Sequence, residues 1–226
     1  MEWVDERAAA ADVLIASFEM LIYGGLIASR VSNDSSAAIA NRVGWLNALP
    51  SRFPSLHIYL NSVVMRIPSY NSDFEEPWYY AEYGRALYDY SFYTSRFRSQ
   101  QNASDAAAAA AAASQVPSSV MDRFLWRRAR NFNASLLALD RLHANRSAFC
   151  ALYVTLDDGG SFGLNVDEAT ALRATATKLG LPTDRVRFYQ GADEVGAVLL
   201  ARATVASHGR RPRVRVLWRV PSATAL

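Results

Sequence analysis

The 226-residue sequence is poor in the side chains that build disulfides and metal centres. It contains one cysteine, Cys150, and three histidines, His57, His143 and His208. A lone cysteine excludes an internal disulfide and a cysteine-rich metal site. The histidines are too far apart for the spacing of a zinc-ligand pair. The sequence therefore predicts no metal ligands among these residues.

Long apolar segments are missing as well. No apolar run reaches the roughly 18 residues that a membrane-spanning helix needs. Residues 1–17 lack the basic start and the apolar stretch of a secretory signal peptide. We therefore expect no membrane partner and a cytoplasmic location.

The familiar nucleotide-binding and hydrolase motifs do not occur. The sequence has no Walker A loop, no Gly-x-Gly-x-x-Gly after the first predicted strand, no His-Glu-x-x-His and no Gly-x-Ser-x-Gly. Nothing indicates a nucleotide or a flavin, so the cofactor is unknown. A divalent cation stays open, because carboxylate oxygens are its usual ligands.

Lysine is almost absent. Only Lys178 is a lysine among the 24 Lys and Arg residues, and the formal net charge is +3. Arginine suits phosphate and carboxylate recognition through its planar fork. Apart from Arg123–Arg130 and Arg210–Arg219 the arginines are scattered, and a GC-rich genome explains an Ala- and Arg-rich composition. Nucleic acid is therefore not expected as a partner.

What the sequence does contain is an alternation of short apolar runs with helical segments. The runs predict five strands, at residues 12–17, 56–65, 148–156, 185–189 and 213–218. Helices between the strands predict a parallel sheet with right-handed crossovers. We expect one α/β domain over residues 1–226, with an open, Rossmann-like sheet or a part of a larger barrel-like fold. Five strands are too few to close an eight-stranded barrel.

Two helical stretches after the second strand have distinct compositions. The run of alanines within residues 99–118 predicts a low-complexity, Ala-rich surface insertion, although polyalanine is strongly helix-prone. The helix predicted at 119–144 has apolar positions at helical spacing, which predicts an inward face and leaves its arginines elsewhere. That predicted inward face consists of Leu125, Ala129, Phe132, Leu136, Leu139 and His143.

Acidic, basic and phenolic side chains follow four of the predicted strands. In chain order they are Glu19, then Arg66 and Tyr70, then Asp157 and Asp158, then Asp193 and Glu194. Ligands of parallel α/β folds bind at the carboxyl ends of the strands, so these groups are expected to converge. Neighbouring carboxylates can act as general acid and base, because each raises the pKa of the other. The set predicts a site at this edge.

Each of these residues also has a purely structural interpretation. The sequence Asp-Asp-Gly-Gly at 157–160 is favourable for a turn. Asp193 and Glu194 are favourable near a helix N-terminus. Asn165 and Glu168 have the spacing of an N-cap and its reciprocal carboxylate. The structural and functional interpretations both stay open from the sequence.

Five segments together resemble a known family. They are SFEMLIYGGLIASR at 17–30, NSVVMRIPSY at 61–70, RRARNFNASLL at 127–137, LDDGGSFGLNVDE at 156–168 and YQGADEVGAVLLARA at 189–203. They resemble the family called domain of unknown function 4127. The resemblance implies that the motif set consists of Glu19, Arg66, Asp158, Asn165, Asp193 and Glu194. Glu19 stands where the family commonly has Asp. The resemblance also implies that flanking segments of the family fold are missing here, as in a truncated copy.

From the strand-end residues we expect an enzyme or an enzyme remnant with hydrolase-like acid–base chemistry on a small polar or glycan-like substrate. Asp158, Asp193 and Glu194 are the predicted catalytic residues. The predicted substrate-binding residues are Glu19, Arg66, Tyr70, Asp157 and Asn165. The alternative is a non-catalytic ligand-binding module or an inactive truncated copy, which would use the same edge without proton transfer.

Overall fold

Four parallel strands form the centre of the structure, a computed structural model that describes residues 1–209. The strands are β1 (Val13–Ser17), β2 (His57–Val64), β3 (Phe149–Leu156) and β4 (Val186–Gln190). They lie side by side in that order, and every neighbouring pair is parallel. The predicted α/β class with a parallel sheet is confirmed, and within residues 1–209 the sheet is open. The strand predicted at 213–218 lies outside the described residues.

Helices precede, connect and follow these strands. They are α1 (Glu2–Arg7), α2 (Phe18–Tyr23), α3 (Leu26–Val31), α4 (Ser36–Arg52), α5 (Tyr80–Gln100), α6 (Ala103–Ala113), α7 (Ser118–Ala144), α8 (Leu164–Lys178) and α9 (Val195–Ser207), with a short 3₁₀ turn at Ala8–Ala10. None of the helices within residues 1–209 is both long and apolar enough to cross a membrane.

The sheet is covered on both faces. Alternate side chains of a strand point to opposite faces, so Leu60 and Tyr59 of β2 belong to different apolar clusters. The cluster with Leu60 packs against α2, α4, α7 and α8, and it includes Leu46 and Leu139. The cluster with Tyr59 packs against α9 through Leu199. Burial on both faces explains why the strands read as continuous apolar runs.

A third apolar cluster contains residues from the segments that follow β2 and β3. It joins Tyr80 and Leu87 of α5 to Phe124 of α7. Helix α6 lies along α5, and its Asp105 is buried in an ion pair with Arg96. The Ala-rich segment therefore contributes packed residues, and its description as a surface insertion stays a prediction.

Helix α7 buries a different face from the predicted one. Leu125 and His143 are exposed, whereas Arg127, Arg128 and Arg130 are each at most 3% exposed. Ala129 is exposed as well, so the predicted inward stripe was wrong at three of its six positions. Apolar periodicity missed this face because each guanidinium group finds oxygen acceptors on other segments, which removes the penalty of burying it.

Candidate functional site

The carboxyl ends of the strands surround a cavity of about 550 Å³, called the main cavity below because it contains strand-end residues. A larger space of about 840 Å³ is lined by residues of β4, α8 and α9. The segment after β1 contributes residues 24–28 and Arg30, and the segment after β2 contributes Arg66 and Glu75. Asp157 follows β3 directly, and Asp193 follows β4. Parallel pairing places these four chain segments at one edge, as expected for a ligand site in an open α/β sheet.

Two arginines and three carboxylates form one network at the wall of the main cavity, here called the carboxylate–guanidinium cluster. Its members are Arg30, Arg66, Glu75, Glu76 and Asp157. Arg30 Nη2 donates to Asp157 Oδ2 at 2.6 Å. Arg66 donates through Nε to Glu76 Oε1 at 2.7 Å and through Nη2 to Glu75 Oε2 at 2.9 Å. Arg30 Nη1 joins the two halves at 3.3 Å from Glu75 Oε2 and 3.4 Å from Glu76 Oε1.

Burial and charge act in opposite directions on this cluster. Burial raises the pKa of Glu76, and the hydrogen bond from Arg66 opposes that rise. Burial acts to lower the pKa of Arg66, but the hydrogen bond and charge of Glu76 outweigh it, so that the pKa of Arg66 is raised. With both arginines and all three carboxylates charged, the cluster carries one net negative charge.

Helix α7 fixes the chain segments that carry the two arginines. Arg128 Nη2 donates to the carbonyl oxygen of Met65 at 3.0 Å and to Glu168 Oε2 at 2.6 Å. Arg130 Nη2 donates to the carbonyl oxygen of Ser29 at 2.8 Å. Met65 and Ser29 directly precede Arg66 and Arg30 in the chain. The buried arginines of α7 therefore hold the backbone on which the cluster is built.

Asn165 holds the loop after β3. Its Nδ2 donates to the carbonyl oxygen of Asp158 at 3.1 Å. The N-cap of α8 is Gly163, so the predicted capping role of Asn165 was wrong. Glu168 pairs with Arg128 instead of closing a capping box. The buried Asn165 side chain therefore holds the backbone of Asp158, one of the predicted catalytic residues.

Glu19 lies in the protein interior, beneath the site. Its side chain is buried, and its Oε1 accepts hydrogen bonds from Ser62 Oγ and from the Val63 backbone N–H, both at 2.9 Å. The Ser17 hydroxyl donates to Oε2 at 3.2 Å. Burial raises the pKa of Glu19, although these hydrogen bonds act to lower it. Glu19 is absent from the lining of the main cavity.

Comparison with known proteins gives one family. The family model described as "Protein of unknown function (DUF4127)" matches residues 1–226, which is the whole sequence. The chain belongs to this family. The resemblance expected from the five motif segments is therefore confirmed. No curated protein and no solved structure matches the chain significantly.

The predicted site residues of this DUF4127 protein fall into two groups. Arg66, Asp157 and Asp193 line the main cavity, and Tyr70 lines an adjoining cavity that also includes Arg66. Asp158, Glu194, Glu19 and Asn165 are not among the lining residues of these two cavities. Asp158 and Glu194 are exposed, and the charge of Asp158 contributes to the raised pKa of Arg66.

Three cluster members were missed by the sequence reasoning, namely Arg30, Glu75 and Glu76. Arg30 ends the first motif segment, and the pair of glutamates precedes Pro77 in the loop after β2. Arg30 lies in α3, and Glu75 and Glu76 lie in the segment between β2 and α5, so that many residues separate each of them from its strand. Each is a charged residue between a strand and the next long helix, but nothing in the local sequence shows that it folds back to the strand ends of this DUF4127 chain.

Among residues 1–209, no group of three His, Cys, Asp or Glu side chains is placed to hold a metal ion. The carboxylates of the carboxylate–guanidinium cluster are bound to arginines instead. A divalent cofactor stays a prediction.

Proposed function

We propose that this DUF4127 protein is an enzyme, or the remnant of one, that performs hydrolase-like acid–base chemistry on a small polar or glycan-like substrate. The observation that supports the proposal is the main cavity, where Arg66, Asp157 and Asp193 from three strand ends line one space. Its volume of about 550 Å³ falls within the range of about 300–1,000 Å³ usual for ligand pockets.

The charge of the cavity favours a neutral, hydroxyl-bearing substrate. Arg30 and Arg66 are already paired with carboxylates, so a phosphorylated ligand would have to compete for them. Ionised carboxylates accept hydrogen bonds and donate none, which matches the hydroxyl groups of a sugar. A polyanion would meet the net negative charge of the cluster together with Asp193.

Each predicted catalytic residue has a role in this proposal. Asp193 lines the cavity and would act as general acid or base, with Asp158 or Glu194 as its partner. Arg66 would anchor the substrate through Nη1, which forms no hydrogen bond within residues 1–209 and lies 3.8 Å from Asp157 Oδ2. In the hydrolytic step one carboxylate would take a proton from a water molecule, whose oxygen forms the new bond to the substrate. The other carboxyl group would donate its proton to the leaving oxygen as the scissile bond breaks.

A second function, binding without catalysis, has a specific observation in its favour. Asp157, Glu75 and Glu76 are held in ion pairs with Arg30 and Arg66. Carboxylates held in place by guanidinium groups present fixed acceptors to a ligand, which suits recognition. In that case the same cavity would hold a polar ligand, and the protein would not convert it.

Turnover separates the two functions. We would assay the purified chain against a panel of nitrophenyl glycosides and nitrophenyl esters, and compare Asp193→Asn and Asp158→Asn with the unaltered protein. General acid–base catalysis contributes about 10²–10⁴-fold to a rate, so kcat/KM of each variant should fall by about that factor. Asp140→Asn is the matched control. Asp140 is exposed near the C-terminal end of α7, which leads into the start of β3 and not to the carboxyl ends of the strands.

The assay also defines failure. Equal kcat/KM for Asp193→Asn, Asp158→Asn and the unaltered protein would contradict the catalytic assignment. Substrates that bind without any turnover would favour the binding module. Circular dichroism of each variant would show whether a lost rate reflects a lost fold.

A further inference from the structure

A second cavity of about 260 Å³, the loop cavity, adjoins the main cavity. Its lining consists of Arg66, Tyr70, Ser72, Phe74, Glu75 and Glu76. Arg66 and Glu75 line both cavities and so form the wall between them. The two spaces therefore lie next to each other along one groove.

The rim of the loop cavity exposes aromatic rings. Phe74 is 89% exposed and Tyr70 is 51% exposed, and Trp78 follows in the same loop with 64% exposed. Single exposed apolar residues are ordinary, but a group of three within nine residues beside a polar cavity is typical of an interaction site. The loop offers ring faces to solvent.

The exposure of these rings does not come from a detached loop. Asn71 Nδ2 donates to the carbonyl oxygen of Glu82 at 3.0 Å, and Asn71 Oδ1 accepts from the backbone N–H of Arg85 at 2.7 Å. A Cβ added to Gly84 would lie 2.4 Å from the carbonyl oxygen of Tyr70, so only glycine permits this approach. The loop is held against α5 while Phe74 stays in solvent.

We propose that the two cavities are adjacent subsites for a ligand of at least two sugar rings. The main cavity would take one ring, and the loop cavity the next. The proposal deepens the proposed function and rests on it.

The lining of the loop cavity matches the chemistry of a sugar. A sugar ring carries C–H groups on its faces, which suit the electron-rich faces of Tyr70 and Phe74. Hydroxyl groups around its edge can donate to the carboxylates of Glu75 and Glu76. A ring bearing a phosphate would meet those carboxylates instead of free arginines, and is disfavoured.

The test measures how the affinity depends on the length of the saccharide, and whether that dependence requires the aromatic rim. We would titrate the full chain calorimetrically with glucose, cellobiose and cellotriose, and with N-acetylglucosamine and its β-1,4 dimer. In whichever of the two saccharide series binds, the disaccharide should bind about tenfold tighter than the monosaccharide. A tenfold gain is about the free energy expected from one additional aromatic contact. Phe74→Ala should abolish this gain, whereas Phe74→Tyr should retain it.

The matched control is Trp3→Ala. Trp3 is 64% exposed on α1, which precedes β1 and so lies away from the carboxyl ends of the strands. It should change neither affinity. Because Phe74 is almost wholly exposed, its removal leaves the core untouched, and equal melting temperatures would verify that.

The outcomes separate this inference from the proposed function. Equal binding of mono- and disaccharides, or a gain that survives Phe74→Ala, would overturn the two-subsite groove while the enzyme proposal stands on its own assay. Failure of every saccharide to bind would overturn the inference, and turnover of a non-sugar ester that depends on Asp193 would show that the enzyme proposal nevertheless holds.

Discussion

Two sets of buried arginines support the same edge of the sheet with different partners. In α7, Arg130 donates only to neutral acceptors among the described residues, and Arg128 divides its hydrogen bonds between backbone carbonyl oxygens and the Glu168 carboxylate. Around the main cavity, Arg30 and Arg66 donate only to carboxylates among the described residues. The first set fixes loops, and the second forms a charged wall of the main cavity.

The electrostatics of the two sets differ accordingly. Burial lowers the pKa of Arg130, whose acceptors are mostly neutral. Burial acts in the same direction on Arg66, but the hydrogen bond and charge of Glu76 reverse the net effect. Neutral carbonyl groups therefore compensate a guanidinium group less fully for its lost hydration, whereas carboxylates stabilise its charged form. Solvent access differs at Glu75, whose side chain is 36% exposed, compared with 19% for Glu168, the partner of Arg128.

The largest expected effect comes from removing Arg128. Arg128→Leu should lower the free energy of unfolding by about 3–5 kcal/mol, because it leaves the carboxylate of Glu168, whose side chain is only 19% exposed, without its ion partner. It also frees the carbonyl oxygen of Met65. Urea unfolding measured by circular dichroism gives the value.

The matched control is Arg123→Leu, an exposed position on the same helix. It should change the free energy of unfolding by no more than about 0.5 kcal/mol. Equal losses for the two variants would mean that the internal contacts of Arg128 contribute nothing specific to stability.

A smaller effect is expected at the cavity wall. Arg66→Leu should lower the free energy of unfolding by about 1–3 kcal/mol. Glu76 would keep Arg30 at 3.4 Å, and the side chain of Glu75 is 36% exposed, so that water can replace the lost partner. A loss as large as that of Arg128→Leu would erase the proposed difference between the two sets. The same unfolding measurement decides.

The third prediction concerns Glu19, a buried carboxylate bound by hydroxyl and backbone donors. Its pKa is raised above the ordinary 4.5, because burial disfavours the charged form. The stabilisation from protonated Glu19 is therefore complete below the unfolded pKa and is lost as pH rises through the folded pKa. Glu19→Gln mimics the protonated form, so its stability relative to the unaltered protein should increase with pH.

Urea unfolding of both proteins at a series of pH values from about 4 to 8 measures this difference. Because Glu76 and Glu168 titrate in both proteins, their contributions cancel in the comparison. Parallel stability profiles would show that burial does not control the ionisation of Glu19.

Local sequence patterns were sufficient for the framework of the fold. Strands predicted at 56–65 and 148–156 occur at His57–Val64 and Phe149–Leu156. Such features depend on burial within a few neighbouring residues. Patterns over longer helices were less reliable, because in α7 the arginines that apolar periodicity leaves outside are the buried ones.

The sequence by itself determined the α/β class, the positions of four strands and the edge at which Arg66, Asp157 and Asp193 meet, because parallel strands end on one side. Only the tertiary structure decided that Arg30 binds Asp157, 127 residues away, and that Glu19 is directed inward to Ser62 and Val63. A side chain carries its charge in the sequence, but its partner depends on the register and packing of segments that are remote in the chain.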